Sequence, residues 1–357
     1  MVDNKKETKK MDRRSFIKLA SATGLAGMVA PIIGCGENPT SSDESSISSS
    51  SNNSVNQATA QAMIDAGIKN LTGLNDVGEA WKSIMPNLSA TGIIAIKVNC
   101  RSSSLPTHPE VANAVVEGLV QMNFDGISFP ENNIHIYDNF KAYFEASGYT
   151  LNSSSSGVRC YENNSYSSQN YSVNGTSQNL ATLITNTADY LINIAVLKNH
   201  NSMAGVTLCM KNHFGSCASP RSMHVNYGDP YIGALNALSP IKTKQCINII
   251  DAIYGAAEGG PYGGPTFIAN KILMSQDVVA IDYLGRKMLE EQNSSTVSWA
   301  TYIDSAADYG IGTNDPTRME FINITNPSGT AEITSTPASS GITACKVAII
   351  EDENASA

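Results

Sequence analysis

The chain has 357 residues, of which 41% are hydrophobic and only 15% charged, where about 25% is usual for a soluble domain. Its net charge of −9 argues against a nucleic-acid binder, which needs a basic patch to meet phosphates. Seven cysteines are too few for a disulfide-built scaffold, and no bilayer-length apolar run follows the N-terminal region, which argues against a polytopic membrane protein.

The N-terminus carries Arg13-Arg14-Ser15-Phe16-Ile17-Lys18, followed by a weakly apolar stretch over 19–33 broken by Gly24, Gly27 and Pro31. This order resembles a bacterial twin-arginine (Tat) signal, an address read by a receptor. Ile32-Ile33-Gly34-Cys35 resembles a lipobox, whose cysteine would be lipidated and become the new N-terminus. The Ser-rich segment that follows cannot bury enough surface to fold and reads as a tether. The implied partners are the Tat export machinery and a membrane reached through lipidated Cys35, in the cell envelope or periplasm. Residues 1–34 hold seven basic and three acidic groups, leaving 16 basic against 29 acidic, a net of −13.

The expected organisation is a signal over 1–35, a tether over 36–58, one α/β domain over 59–350 and a tail over 351–357. Residues 60–66 and 77–85 read as helices. Residues 92–99 form a compact apolar run suited to a buried strand. Pro109 starts a helix with Val111, Val115, Leu119 and Met122 at helical spacing. A short strand over 134–137 precedes a helix with Phe140, Tyr143 and Phe144, which Asn139 could cap. Residues 152–178 are a Ser/Asn-rich excursion of loops or hairpins. The pattern resumes with a strand over 189–197 and a helix beginning within 207–213. Residues 247–254 fit helix or strand equally. A strand over 271–274, helices over 278–290 and 298–307, and late strands over 319–325 and 345–350 complete the chain. Strand–helix alternation at this pitch predicts an α/β fold with a mostly parallel sheet flanked by helices.

Ligands of such sheets sit beyond the carboxyl ends of strands. Two expected strand ends there deliver a lysine and an amide: Lys97 with Asn99, and Lys198 with Asn199 and then His200. Lys97 and Lys198 could face one anion, or be solvated strand ends. Three of the five histidines, His200, His213 and His224, fall within 25 residues. Their imidazoles could serve as acid, base or metal ligand, although the spacing is not that of a helical zinc motif. Gly205-Val206-Thr207 is read as an anion-binding entrance to a helix. His108 could meet ligand or cap its turn. Asp277 reads as an N-cap. Asp282 lies on an apolar helix face and needs a partner, and Asp251 is the third carboxylate placed near the sheet. The Gly-rich segment 258–265 lacks a nucleotide-binding fingerprint and reads as a loop beside the site. Six cysteines other than Cys35 allow 15 pairings. Cys209 and Cys217 are minor candidates for a nucleophile.

Ile96-Lys97-Val98-Asn99, Thr107-His108-Pro109-Glu110, residues 193–200, residues 205–215, Asn248 to Gly255 and residues 277–282 together resemble, in order, the domain of unknown function 362 family. The resemblance spans roughly residues 88–315. Its motif residues map to Lys97, Asn99, His108, Lys198, His200, Thr207, Lys211, Asn212 and Gly215. Relatives with ferredoxin-type iron–sulfur motifs invite a redox reading, but this chain has no C-x-x-C-x-x-C run for a self-contained cluster. The leading expectation is an enzyme acting on a small anionic ligand, with a metal or redox cofactor left open. In that reading Lys97, Lys198 and Lys211 hold charge, and His200 or His213 moves a proton. The alternative is an extracytoplasmic lipoprotein that binds a ligand or partner without chemistry.

Overall fold

The computed structural model describes residues 53–356, so the twin-arginine pair, Cys35 and most of the expected tether lie outside the described residues. The first helix, α1 (Gln57–Thr72), begins inside the range expected for the tether. Asn56 starts it by accepting the Thr59 N–H, and Gly73 ends it in the left-handed conformation. Helix α2 (Val77–Ser83) follows, capped by Asp76.

The centre is a ten-stranded mixed sheet. Its parallel block contains β1 (Ile94–Lys97), β2 (Ile134–Asp138), β3 (Arg159–Glu162), β4 (Tyr190–His200) and β6 (Gln245–Ala256). These lie side by side in the order β6-β4-β1-β2-β3. The short β5 (Gly205–Thr207) folds back antiparallel on β4. Beyond β6, the antiparallel β7 (Phe267–Ser275) leads to β8 (Met319–Thr325), β9 (Glu332–Thr336) and β10 (Cys345–Glu351), ordered β9-β8-β10-β7. Residues 247–254 are therefore strand, and their unbroken burial explains why periodicity could not separate strand from helix.

Both sheet faces are covered, as continuous apolar strands require. Ile192, Ile194 and Val196 of β4 pack with α1 and with α3 (Pro109–Leu119). Leu191, Ala195 and Leu197 point the other way. They meet α5 (Cys209–Asn212), α6 (Tyr231–Asn236), α7 (Val278–Glu291) and α8 (Tyr302–Ala306).

Three local expectations are corrected. The 152–178 excursion supplies the sheet's edge strand β3 before making a hairpin, Tyr171–Val173 with Thr176–Gln178, turned by Asn174 and Gly175 at positive φ. Helix α4 (Lys141–Ala146) is not capped by Asn139; Phe140 occupies its N-cap with φ 60° and makes no side-chain cap. Residues 298–307 split into a 3-10 turn at Val297–Trp299 and the short α8. The far end is packed as well: Ala355 is buried and its carbonyl accepts the Asn56 N–H. All six cysteines among the described residues are free.

Candidate active site at the sheet's switch point

From β1 the chain crosses through α3 to β2, on one side. From β4 it crosses through α5 and α6 to β6, on the other. The two connections cover opposite faces. The strand order thus reverses between β1 and β4, whose carboxyl ends mark the usual ligand position in such sheets.

Lys97 and Lys198 both reach this end, but they do not converge on a common partner. Lys97 Nζ donates to Asp138 Oδ1 at 2.6 Å, to the Val98 carbonyl at 2.6 Å and to Asn212 Oδ1 at 3.2 Å. Its three donors are spent inside the protein. Asp138 Oδ2 also accepts the Cys100 N–H, and Asn99 Nδ2 donates to Asn212 Oδ1. Asn212 Nδ2 reaches Asn193 Oδ1 at 2.8 Å, and Asn193 Nδ2 reaches the Cys209 carbonyl. The network ties β1, β2, β4 and α5 together at these strand ends. A Cβ on Gly215 would lie 2.8 Å from Lys97 Nζ and 2.9 Å from Asp138 Oδ1, so only glycine lets this turn close over the ion pair.

Above it lies a basic cluster. Lys198 is fully buried and donates to the Leu105 carbonyl at 2.9 Å; burial pushes its amine down to about 8. Lys211 is 8% exposed, with its amine 4.9 Å from the Phe214 ring centroid. Among the described residues it has neither a hydrogen-bond acceptor nor a carboxylate partner. Burial, then the charges of Lys198 and Arg101, push its amine down to about 7. His200 and His224 stand with ring centroids 6.5 Å apart. Burial, then Lys211, hold them neutral, near about 2 and about 4.

The two rings are opposite tautomers. His200 Nδ1 accepts the Met203 N–H at 3.1 Å, so its proton sits on Nε2. His224 Nδ1 lies 3.0 Å from the Pro220 carbonyl, which can only accept, so its Nε2 keeps a lone pair. One imidazole offers a donor and the other an acceptor. Three buried polar atoms nearby in the fold also lack hydrogen-bond partners: Asn99 Oδ1, Thr207 Oγ1 and His108 Nε2.

Other expected site residues are occupied elsewhere. His213 is fully buried, with Nδ1 on Ser216 Oγ and Nε2 on Gln245 Oε1, so it braces the core rather than joining the cluster. His108 does not cap α3 with its side chain; its Nδ1 and backbone N–H both meet Asp251 Oδ2, at 2.7 and 2.8 Å. Gly205-Val206-Thr207 is strand β5, not a helix entrance. The start of α5 is filled by Asp282, whose two oxygens accept the Cys209 and Met210 N–H groups. Asp277 caps α7. Cys209 and Cys217 are buried, and burial pushes Cys217 up to about 12 and Cys209 well up, so neither is an activated thiol.

Arg101 and Asp138 were not anticipated, though both follow from the strand-end rule that picked out Lys97. The Gly-rich loop does lie beside the site: the Gly260 N–H donates to Asn199 Oδ1, and the Tyr262 carbonyl accepts from Ser102 Oγ. A Cβ on Gly260 would stand 2.1 Å from the Asn199 carbonyl oxygen.

The chain belongs to the domain of unknown function family DUF362, whose profile matches residues 94–287. The match spans β1 to α7 and so includes every member of the basic cluster. No curated protein matches the chain. It is similar in part to a crystal structure of a Thermotoga maritima protein from a structural-genomics consortium, with 11% identity and a TM-score of 0.33. The likeness covers 65% of this chain and 58% of that one.

Proposed function

We propose that this DUF362 protein is an exported, lipid-anchored enzyme acting on a small anionic ligand. One observation carries the catalytic reading: the Lys211 side chain, only 8% exposed, stands beside Lys198, Arg101, His200 and His224 with no carboxylate partner among the described residues. A desolvated cation without a counter-ion favours an incoming anion. Lys211 and Arg101 hold the negative charge in this reading. His224 Nε2 takes a proton from the ligand, and the His200 Nε2–H steadies the charge that develops. Lys97 is a positioning residue, because its donors are already used.

The described residues supply no group of three or more His, Cys, Asp or Glu placed to hold a metal. Export rests on Arg13 and Arg14, and anchoring rests on Cys35, both in the sequence. The Tat machinery and the membrane are the partners this implies.

The test is calorimetry of the purified chain with sulfate, inorganic phosphate and acetate, followed by a screen of phosphate esters and carboxylates for turnover by NMR. Lys211→Met should weaken anion binding at least tenfold. His224→Ala should abolish turnover yet change affinity only a few-fold. Binding without turnover of any class would favour the non-catalytic lipoprotein, and no anion binding at all would overturn both readings. Replacing both Arg13 and Arg14 by Lys should retain the precursor in the cytoplasm, and Cys35→Ser should move the protein to the soluble fraction.

A further inference from the structure

Three rings surround Arg101. Its guanidinium carbon lies 4.9 Å from the Phe140 centroid, 5.3 Å from Tyr143 and 5.5 Å from Tyr262. Phe140 and Tyr143 come from the start of α4, where they meet edge to face at 5.9 Å. Tyr262 comes from the Gly-rich loop, and its hydroxyl accepts Arg101 Nη2–H at 3.1 Å.

All three rings remain open to solvent, at 49% for Phe140, 37% for Tyr143 and 55% for Tyr262. Single exposed apolar residues are ordinary, but three gathered on one charge form a patch. The patch is also held in place. Ser102 Oγ fixes the Tyr262 backbone, and Asn199 fixes Gly260 two residues before it. Arg101 is shared with the basic cluster, because its charge depresses both Lys211 and His224. Only one of its five N–H donors has a partner among the described residues.

We propose that the anion bound at this site carries a planar aromatic ring, which packs among Phe140, Tyr143 and Tyr262 while its charged group meets Arg101 and Lys211. This rests on the anion-binding reading above and names the ligand class it left open. Aromatic rings pack well edge to face or offset at centroid distances of about 4.5–7 Å, and a guanidinium clasped by rings keeps its edge for an oxyanion. The charged group is a carboxylate or a phosphate, which share this chemistry.

The experiment compares matched probes on the purified full chain by calorimetry: benzoate against acetate, and phenyl phosphate against inorganic phosphate. In at least one pair the aryl member should bind tenfold or more tighter. Phe140→Leu and Tyr143→Leu should each reduce that ratio several-fold. The ratio within a pair is the readout, so a variant that only weakens anion binding cancels out. Thermal melting by circular dichroism checks folding, and Tyr143→Phe, which keeps the ring, should preserve the ratio. Equal binding within both pairs overturns the aromatic proposal and leaves the anion reading standing. Failure of all four probes overturns both. An aryl preference that survives both Leu variants places the ring elsewhere and also overturns the proposal.

Discussion

The Asp282 carboxylate closes the helix that starts at Cys209, taking the Cys209 N–H at 2.8 Å and the Met210 N–H at 2.9 Å. A helix start leaves backbone N–H groups without partners, and here the protein's own Asp282 carboxyl accepts two of them. Asp282→Ala should destabilise the fold by about 1–3 kcal/mol or more, because buried N–H groups lose their acceptor. The denaturation midpoint in urea checks it. The pH dependence has a definite sign. Burial raises the Asp282 carboxyl from its ordinary 3.8 to about 7 in the folded protein. Its contribution is therefore full below about pH 4 and is lost as pH rises through about 7. The stability difference between wild type and Asp282→Asn should shift against wild type across that window and stay flat above it.

Lys97 and Asp138 set a second expectation. The pair is 2.6 Å apart and nearly fully buried. Removing one partner leaves an unpaired buried charge, so Asp138→Ala should cost about 3–5 kcal/mol. Replacing both, as Lys97→Met with Asp138→Leu, should recover part of that loss. Chemical denaturation measures all three proteins. A Lys97→Met variant that stays fully stable but loses sulfate binding would instead make Lys97 a ligand contact.

The fold was legible where burial writes a continuous apolar strand, as at Ile94–Lys97 and Tyr190–His200. The site was legible too, because polar residues ending such strands have few places to go. The direction of each side chain was not. Lys97 and Lys198 look equivalent in sequence, yet the pleat and the loops send one to Asp138 and the other to the Leu105 carbonyl. Gly205-Val206-Thr207 reads as a helix entrance because the hydrogen bonds that make it a strand come from β4, only a turn earlier in the chain. Asp282 could not be paired with Cys209 from sequence, since 73 residues separate them. The setting of Arg101 is equally hidden, because its neighbours Phe140 and Tyr262 lie 39 and 161 residues along the chain.

The histidines separate stability from chemistry. Both nitrogens of His213 are bonded inside the core, so His213→Ala should lower thermal stability by about 1–3 kcal/mol through the orphaned polar partners. Anion affinity should change little. His224 has only its Nδ1 committed, and His224→Ala should leave the melting temperature within a few degrees while removing turnover. Melting curves and rates measured on the same preparations test the contrast. The reverse pattern would return the proton-moving role to His213.

The last prediction concerns Lys211 and pH. Burial and the neighbouring charges of Lys198 and Arg101 lower its amine from 10.5 to about 7 in the folded protein. His200 and His224, near about 2 and about 4, stay neutral above pH 6 and add nothing there. Sulfate keeps one charge state over this range, so any change in its affinity belongs to the protein. Affinity should be flat below pH 7 and fall above it, by up to about tenfold per pH unit for one lost proton. Lys198, near about 8, steepens the fall at higher pH if its charge also reaches the anion. The folding stability moves the opposite way. The unfolded lysine stays protonated to about 10.5, so the cost of burying the ammonium is relieved between about pH 7 and 10.5. Lys211→Met should lose both the fall in sulfate affinity that starts near pH 7 and this rise in stability. Sulfate titrations and urea melts at pH 6, 7, 8 and 9 on both proteins measure the two together. An affinity that is level across that range in the wild type would remove Lys211 from the anion site.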